Sequence, residues 1–484
     1  MYPRIFIVFF LFLSAFFVDG QTPFPIKRFL TPSFMQGASF SIMAKEVQTG
    51  TVLYDYDSNR ELIPASVMKT ITTATALDIL GGSYRYETRV EYDGSLTDGI
   101  LNGNIYIHGS GDPTLGSSYL KSDKDSVIRL WISEVHKAGI RQINGSVIAD
   151  EQCFDAEGVS MKWMREDLGS YYGQGSYGLS VFDNLYRIDF LTGAPGTSPV
   201  ILDCSPQIPG LSFRNYLKAA SVFSDSCYIV GSPFSGERSL FGIIPAHRKR
   251  FSLEGDIPDP ALFLAQYITA KLASSGIKVS GEPATFRILN EAGKWKTTER
   301  KTIAKTYSPE LAEIARITNH VSHNLFADAL LKIVGERYKP ERGEVISSFG
   351  KGVKVLQEHW KQKGLDTRSL WMFDGSGLAI TDRLTTSFVC DIYRYMITQS
   401  GASEAFFASL PKVGEDGTVK NFLKGTSLQG RARFKSGSMS RVRGYGGYLT
   451  KDGKQYAICL FVNNFSCTNR QMTAELEKLL VSLF

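Results

Sequence analysis

The feature that most constrains this chain is a discontinuity. Residues 38–56 alternate in the strand period, Ala38 to Ala44 and Thr51 to Tyr56 about the turn Val47-Gln48-Thr49-Gly50, and predict a hairpin. A helix-favouring run from Ile71 to Leu80 follows and is stopped by Gly81-Gly82. From about Tyr84 to Lys301 the character changes to short strands punctuated by glycine, such as Thr88–Tyr92, Gly103–Gly109 and Gly145–Asp150, with a helix over Ser126–Ala138. Longer helical patterns return after Ser308, among them Asn324–Val334, and the chain closes with strands at 431–435, 445–450 and 456–463 and a helix from Arg470 to Leu483. The reading is a split α/β (α+β) domain, residues 21–83 and 302–484. Its last strands join the first hairpin in one antiparallel sheet flanked by helices. Residues 84–301 are an inserted β-rich region of two nested domains.

Bulk properties exclude several classes. The 484 residues allow two to three domains, and 43% hydrophobic with 21% charged residues is ordinary globular composition. The net charge of +6 is spread thinly, with no basic block denser than His247-Arg248-Lys249-Arg250, so nucleic acid is not an expected partner. Met1-Tyr2-Pro3-Arg4, the apolar run Ile5–Val18 and Val18-Asp19-Gly20 predict a signal peptide over residues 1–20 and a mature start at Gln21. That apolar run is shorter than the ~20 residues of a spanning helix, and no later run is long enough, so export to the periplasm without a transmembrane anchor is expected. Six cysteines show no Cys-x-x-Cys spacing and the histidines no ligand spacing, so neither a metal nor another cofactor is expected. Cys204 with Cys227, or Cys459 with Cys467, could pair; buried free thiols fit equally.

Three short motifs carry chemistry. In Ser66-Val67-Met68-Lys69, a serine and a lysine three apart share a helix face, so an amine stands beside a hydroxyl with no histidine involved. A lysine in a partly dry cleft loses proton affinity and can deprotonate that serine. Ser322-His323-Asn324 heads a helix; its serine can relay a proton and its asparagine can bind a substrate amide, or both can simply cap the helix. Lys435-Ser436-Gly437 is read as the end of a strand that begins near Ala432, where a lysine and a hydroxyl can bind a carboxylate and glycine admits a close substrate backbone; an ordinary basic edge strand fits too.

In this order the three motifs resemble those of penicillin-binding proteins. With the long gap between Lys69 and Ser322, the chain is similar to the class C low-molecular-mass group, peptidase family S13 of D-Ala-D-Ala carboxypeptidases and endopeptidases (penicillin-binding protein 4 type). Gly109–Leu115, Asp374-Gly375-Ser376-Gly377-Leu378 and the stretch from Leu410 to Thr418 add to the likeness. The resemblance implies a penicillin-binding-protein/β-lactamase-like fold. It implies a serine peptidase acting on peptidoglycan peptides that end in D-Ala-D-Ala, and acylation by β-lactams. It makes Ser66 the nucleophile, Lys69 its base, and Ser322, Asn324 and Lys435 the relay and orienting groups. Ser436, where relatives carry threonine, and Gly437 would line the substrate, with the backbone of Ser438 or Met439 completing the oxyanion hole beside that of Ser66. Asp150 matches an insert aspartate that reaches the site edge in relatives and meets a side-chain amine. Ala379-Ile380 replaces a family Ser-Arg; Arg383, Arg441 and Arg443 are candidate substitutes. Two other functions remain open: a non-catalytic wall-binding protein on the same fold, and a β-lactamase.

Overall fold

A computed structural model describes residues 22–121 and 123–484; the expected signal peptide and its cleavage point lie outside them. The hairpin Ser39–Glu46 and Val52–Tyr56 joins three C-terminal strands in one five-stranded sheet, ordered 432–439, 442–451, 454–463, 39–46, 52–56. Every pairing in it is antiparallel. Two chain segments some four hundred residues apart thus make one sheet.

Strand Lys454–Asn463 shows why the sheet has a layer on each face. Ala457, Cys459 and Phe461 point into a core shared with helices Met68–Leu80, Leu311–Val321, Asn324–Gly335 and Thr386–Thr398. Ile458, Leu460 and Val462 point the other way, against helices Phe24–Leu30 and Asn469–Leu483. A strand apolar on both sides can only be a central strand buried between two layers. Each fully buried Leu or Phe here contributes about 1.5–3 kcal/mol.

The insert has two cores. One lies between helices Ser126–Lys137 and Pro260–Ser274 and a sheet ordered 284–285, 147–150, 105–108, 87–92, 301–307. The other is formed by strands 185–191, 200–205 and 251–256 with the sheet built on Glu237–Pro245. Two corrections follow. Strand Lys301–Tyr307 pairs with Glu87–Tyr92, so the insert closes after Tyr307 and not at 301. The region also holds a helix that the sequence reading does not place, Pro260–Ser274, beside the expected helix, Ser126–Lys137, which crosses between the parallel strands 105–108 and 147–150. All six cysteines are free, so neither candidate disulfide is formed.

Candidate active site

Ser66 stands on a short 3-10 turn, Ala65–Val67, that runs into helix Met68–Leu80. Ala65 just before it has φ 45°, a left-handed conformation that a residue with a Cβ holds only when its surroundings impose it. What imposes it is close packing. A Cβ on Gly437 would lie 2.5 Å from the Pro64 carbonyl oxygen and one on Gly377 2.0 Å from that of Ala65. Only glycine fits at either place. The third motif therefore lies in the middle of strand Ala432–Met439, not at its end, and its glycine marks close passage of the Ser66 turn.

The Lys69 ammonium is wholly buried and donates to Ser66 Oγ at 3.0 Å and to the Ser376 carbonyl at 2.7 Å. Burial pulls its pKa down to about 8 against the opposing pull of Asp328 and Asp374. Asp374 shapes the turn that supplies the Ser376 carbonyl: its Oδ1 accepts from the N–H groups of Ser376 and Gly377, and its Oδ2 from Ala379. The Trp163 indole of the insert donates to the same carboxylate at 2.6 Å. Burial and Asp374 push Asp328 well above the usual carboxylate range.

Lys435 completes a second pair. Its buried ammonium donates to Ser322 Oγ at 2.9 Å and to the Ser436 carbonyl at 2.6 Å. Burial, then the charges of Lys69 and Arg443, hold it well below the ordinary lysine range. Ser322 sits at φ 63° where helix Leu311–Val321 ends and the next begins. His323 is turned inward, stacked on Phe326 at 4.1 Å and 3.5 Å from Asp183 of the insert. Asn324 Nδ2 donates to the carbonyl of Tyr172, also in the insert, at 2.7 Å. Ser436 Oγ donates to Thr418 Oγ1 at 2.8 Å, and Asn469 reaches Ser438 Oγ and the Met439 carbonyl.

The Asp150 carboxylate is not free to meet a substrate amine. It is fully buried inside the insert, held by Arg300 at 2.7 Å, His108 at 3.1 Å and Gln152. It caps a buried strand whose neighbours claim both oxygens. The insert meets the motifs instead through Trp163, Tyr172 and Asp183. Of the three candidate arginines, Arg383 and Arg441 are spent on backbone carbonyls, of Ile380 and Asp382 and of Asn464 and Phe465. Arg443 lies opposite Ser438 on the neighbouring strand, bonded to the Tyr445 hydroxyl.

Sequence reasoning missed the groups behind Lys69. Asn324, Asp328 and Lys332 recur every four residues on a helix that is otherwise apolar at its buried positions, a polar column that spacing alone could have revealed. Tyr172 acts through its backbone and left no such signal.

A hydroxyl and a buried amine at the foot of a helix, beside an antiparallel sheet interrupted by a long insert, define a penicillin-binding-protein/β-lactamase-like fold. The chain belongs to the D-Ala-D-Ala carboxypeptidase 3 (S13) family, which it matches over residues 26–482. It is 26% identical over 455 residues to a D-alanyl-D-alanine carboxypeptidase of Actinomadura sp. (strain R39), covering 91% of this chain and 80% of that one. It is 22% identical over 441 residues to D-alanyl-D-alanine carboxypeptidase DacB of Haemophilus influenzae, covering 90% and 88%. The crystal structure of penicillin binding protein 4 (dacB) from Haemophilus influenzae superposes with a TM-score of 0.80 at 21% identity, over 95% of this chain and 98% of that one.

Proposed function

We propose that this chain is an exported serine DD-peptidase that removes the terminal residue from peptidoglycan stem peptides ending in D-Ala-D-Ala, or opens a crosslink of the same stereochemistry, through an acyl-enzyme on Ser66. The observation that carries the reading is the 3.0 Å approach of the buried Lys69 amine to Ser66 Oγ, next to a second lysine–serine pair.

The chemistry follows from those atoms. With a pKa near 8, roughly a tenth of Lys69 is neutral at pH 7. Neutral Lys69 takes the Ser66 proton as Oγ attacks the penultimate carbonyl. The oxyanion is received by the backbone N–H groups of Ser66 and of Ser438 or Met439, with the positive end of helix Met68–Leu80 behind the serine. The peptide C–N bond breaks, and the leaving amine takes a proton passed through Ser322 from the lysine pair. Water then attacks the acyl carbonyl with Lys69 again as base, freeing Ser66. Asn324 orients the acyl half of the substrate, and Lys435 with the Ser436 hydroxyl receives the terminal carboxylate. A β-lactam would enter the same path and deacylate slowly. Export to the periplasm belongs to this reading, because its substrate lies outside the cytoplasm.

The test is a fluorescent penicillin. Wild-type protein is expected to be labelled covalently and to release D-Ala from a pentapeptide; Ser66→Ala is expected to do neither. Equal labelling of both would remove Ser66 from the mechanism, and rapid multiple turnover of nitrocefin would make the protein a β-lactamase.

A further inference from the structure

The nested part of the insert carries an open row of aromatic rings. Strand Ser226–Val230 pairs antiparallel with Glu237–Pro245, which sets Tyr228 directly opposite Phe241. These rings are 44% and 42% exposed. Tyr216, 55% exposed, stacks on Phe241 with centroids 5.1 Å apart and planes within 10°. A groove of about 420 Å³ is lined by Tyr228, Phe241 and Val230, with Arg165 and Glu166 as its polar rim. At Tyr228 and Glu166 it meets a second groove of about 320 Å³ that passes Tyr171 and Tyr172. Tyr172 is the residue whose carbonyl holds Asn324. The two grooves thus share one surface, and its far end holds the residue whose backbone bonds the second motif.

We propose that this surface seats the amino-sugar backbone from which the stem peptide hangs, so that the insert is a glycan-binding subsite of the peptidase. The inference rests on the reading of the preceding subsection. A pyranose ring has flat C–H faces and a rim of hydroxyl and acetamido groups. A slot with aromatic walls and charged ends matches that division, and the amphipathic tyrosines serve both needs. Direction agrees as well. Asn324 orients the acyl half of the substrate, so the stem leaves the site on the Tyr172 side. A stem of about four extended residues spans about 14 Å, so its sugar end lies well outside the catalytic pair, on surface bordering the site, to which the insert is joined through Tyr172. The second groove is lined by Glu166, Asp225 and Glu254 against the single Arg187, an acidic excess that opposes an anionic membrane surface as the occupant.

The test compares the wild-type full chain with Tyr228→Ala/Phe241→Ala. The probe for binding is the tetramer of N-acetylglucosamine, titrated calorimetrically. The activity pair is a free pentapeptide ending in D-Ala-D-Ala and the same pentapeptide on soluble uncrosslinked glycan strands. The variant is expected to lose about tenfold in tetramer affinity and about tenfold in kcat/KM on the glycan-linked substrate, with the free pentapeptide within about twofold, which reports an intact fold. The single Tyr228→Ser, at a side chain already nearly half exposed, repeats the test if the double variant does not fold. Equal treatment of the two substrates by variant and wild type overturns the proposal. So does a wild-type dimer that the variant abolishes with glycan handling unchanged, since the ring row would then be a protein interface. A wild type that binds the tetramer yet releases no D-Ala from either substrate would refute the peptidase reading and leave the subsite standing.

Discussion

Two buried lysines separate what is reactive in this molecule from what is structural. Lys69 and Lys332 both sit on helices, both are fully enclosed, and burial draws both down to about 8. Lys69 faces a hydroxyl at 3.0 Å, on a turn packed against the strand that carries the third motif. Among the described residues Lys332 donates only to carbonyls, of Glu157 at 2.6 Å and Ser176 at 2.7 Å, and its amine lies 4.2 Å from the centre of the Phe349 ring. It fastens the helix of the second motif to the insert. A lowered amine is therefore no mark of chemistry by itself. The mark is a lowered amine with a nucleophile in reach.

The largest effect expected from this contrast is the loss of acylation in Lys69→Met. Removing the base should lower the second-order rate of acylation by a β-lactam by about 10³-fold or more, since positioned proton transfer contributes about 10²–10⁴. Stopped-flow labelling reads it directly. Lys332→Met should leave that rate within about threefold. A large fall in the second variant would break the contrast and make Lys332 a participant through the column it shares with Asn324.

The pH dependence comes next in size. The base acts when neutral, so the acylation rate should rise about tenfold per pH unit below about 8 and level above it. Lys332→Met should leave the position of this limb unchanged. A limb that moved with Lys332 would mean that the two amines titrate as one system.

Stability should respond in the opposite order. Lys332→Met strips the hydrogen-bond donor from the buried Ser176 carbonyl, which costs about 1–3 kcal/mol when unpaired, and from the part-buried Glu157 carbonyl, which costs less. It also removes a buried charge, which offsets part of that cost. A net loss of about 1–3 kcal/mol and a Tm lower by a few degrees is expected in a thermal melt. A rise in Tm would show that burying the amine outweighs the clasp it makes.

The same contrast explains what was legible in the sequence. The motifs, the hairpin, the Asn324 helix and the last strands could be read because local spacing carries them: period two in the strands, three and four in the helices. The strand through Lys435 runs on past the third motif to Met439, and the glycine in its middle answers to the Pro64 carbonyl, some 370 residues earlier in the chain. Asp150 was expected at the site edge from the resemblance, not from its neighbours in sequence. Its partner Arg300 is 150 residues away, and nothing local says that a carboxylate at a strand end will be claimed from there. The insert's actual contacts run through a tyrosine carbonyl, an indole and an aspartate, Asp183, inside three consecutive left-handed residues. Long-range claims on side chains, and roles played by the backbone, are what a single sequence hides.

The smallest expected effect lies between the two lysines, at Asp328. It is one turn from each of Asn324 and Lys332, and its negative charge opposes the lowering of Lys69. Its Oδ1 accepts the Gly375 N–H at 2.8 Å, while Oδ2 has no hydrogen-bond partner among the described residues. Asp328→Asn keeps the acceptor and removes the charge at nearly constant volume. The sign follows: without that carboxylate the ammonium form of Lys69 is less favoured, its pKa falls, and the acid limb of the acylation rate moves to lower pH. The shift should be less than about one unit, because Asp328 is itself pushed up toward its neutral form by burial and by Asp374. A pH profile of acylation for the variant beside wild type measures it. A limb displaced to higher pH would mean that Asp328 acts on Lys69 through the geometry of the Gly375–Gly377 turn and not through charge, and would move the control of the base from electrostatics to packing.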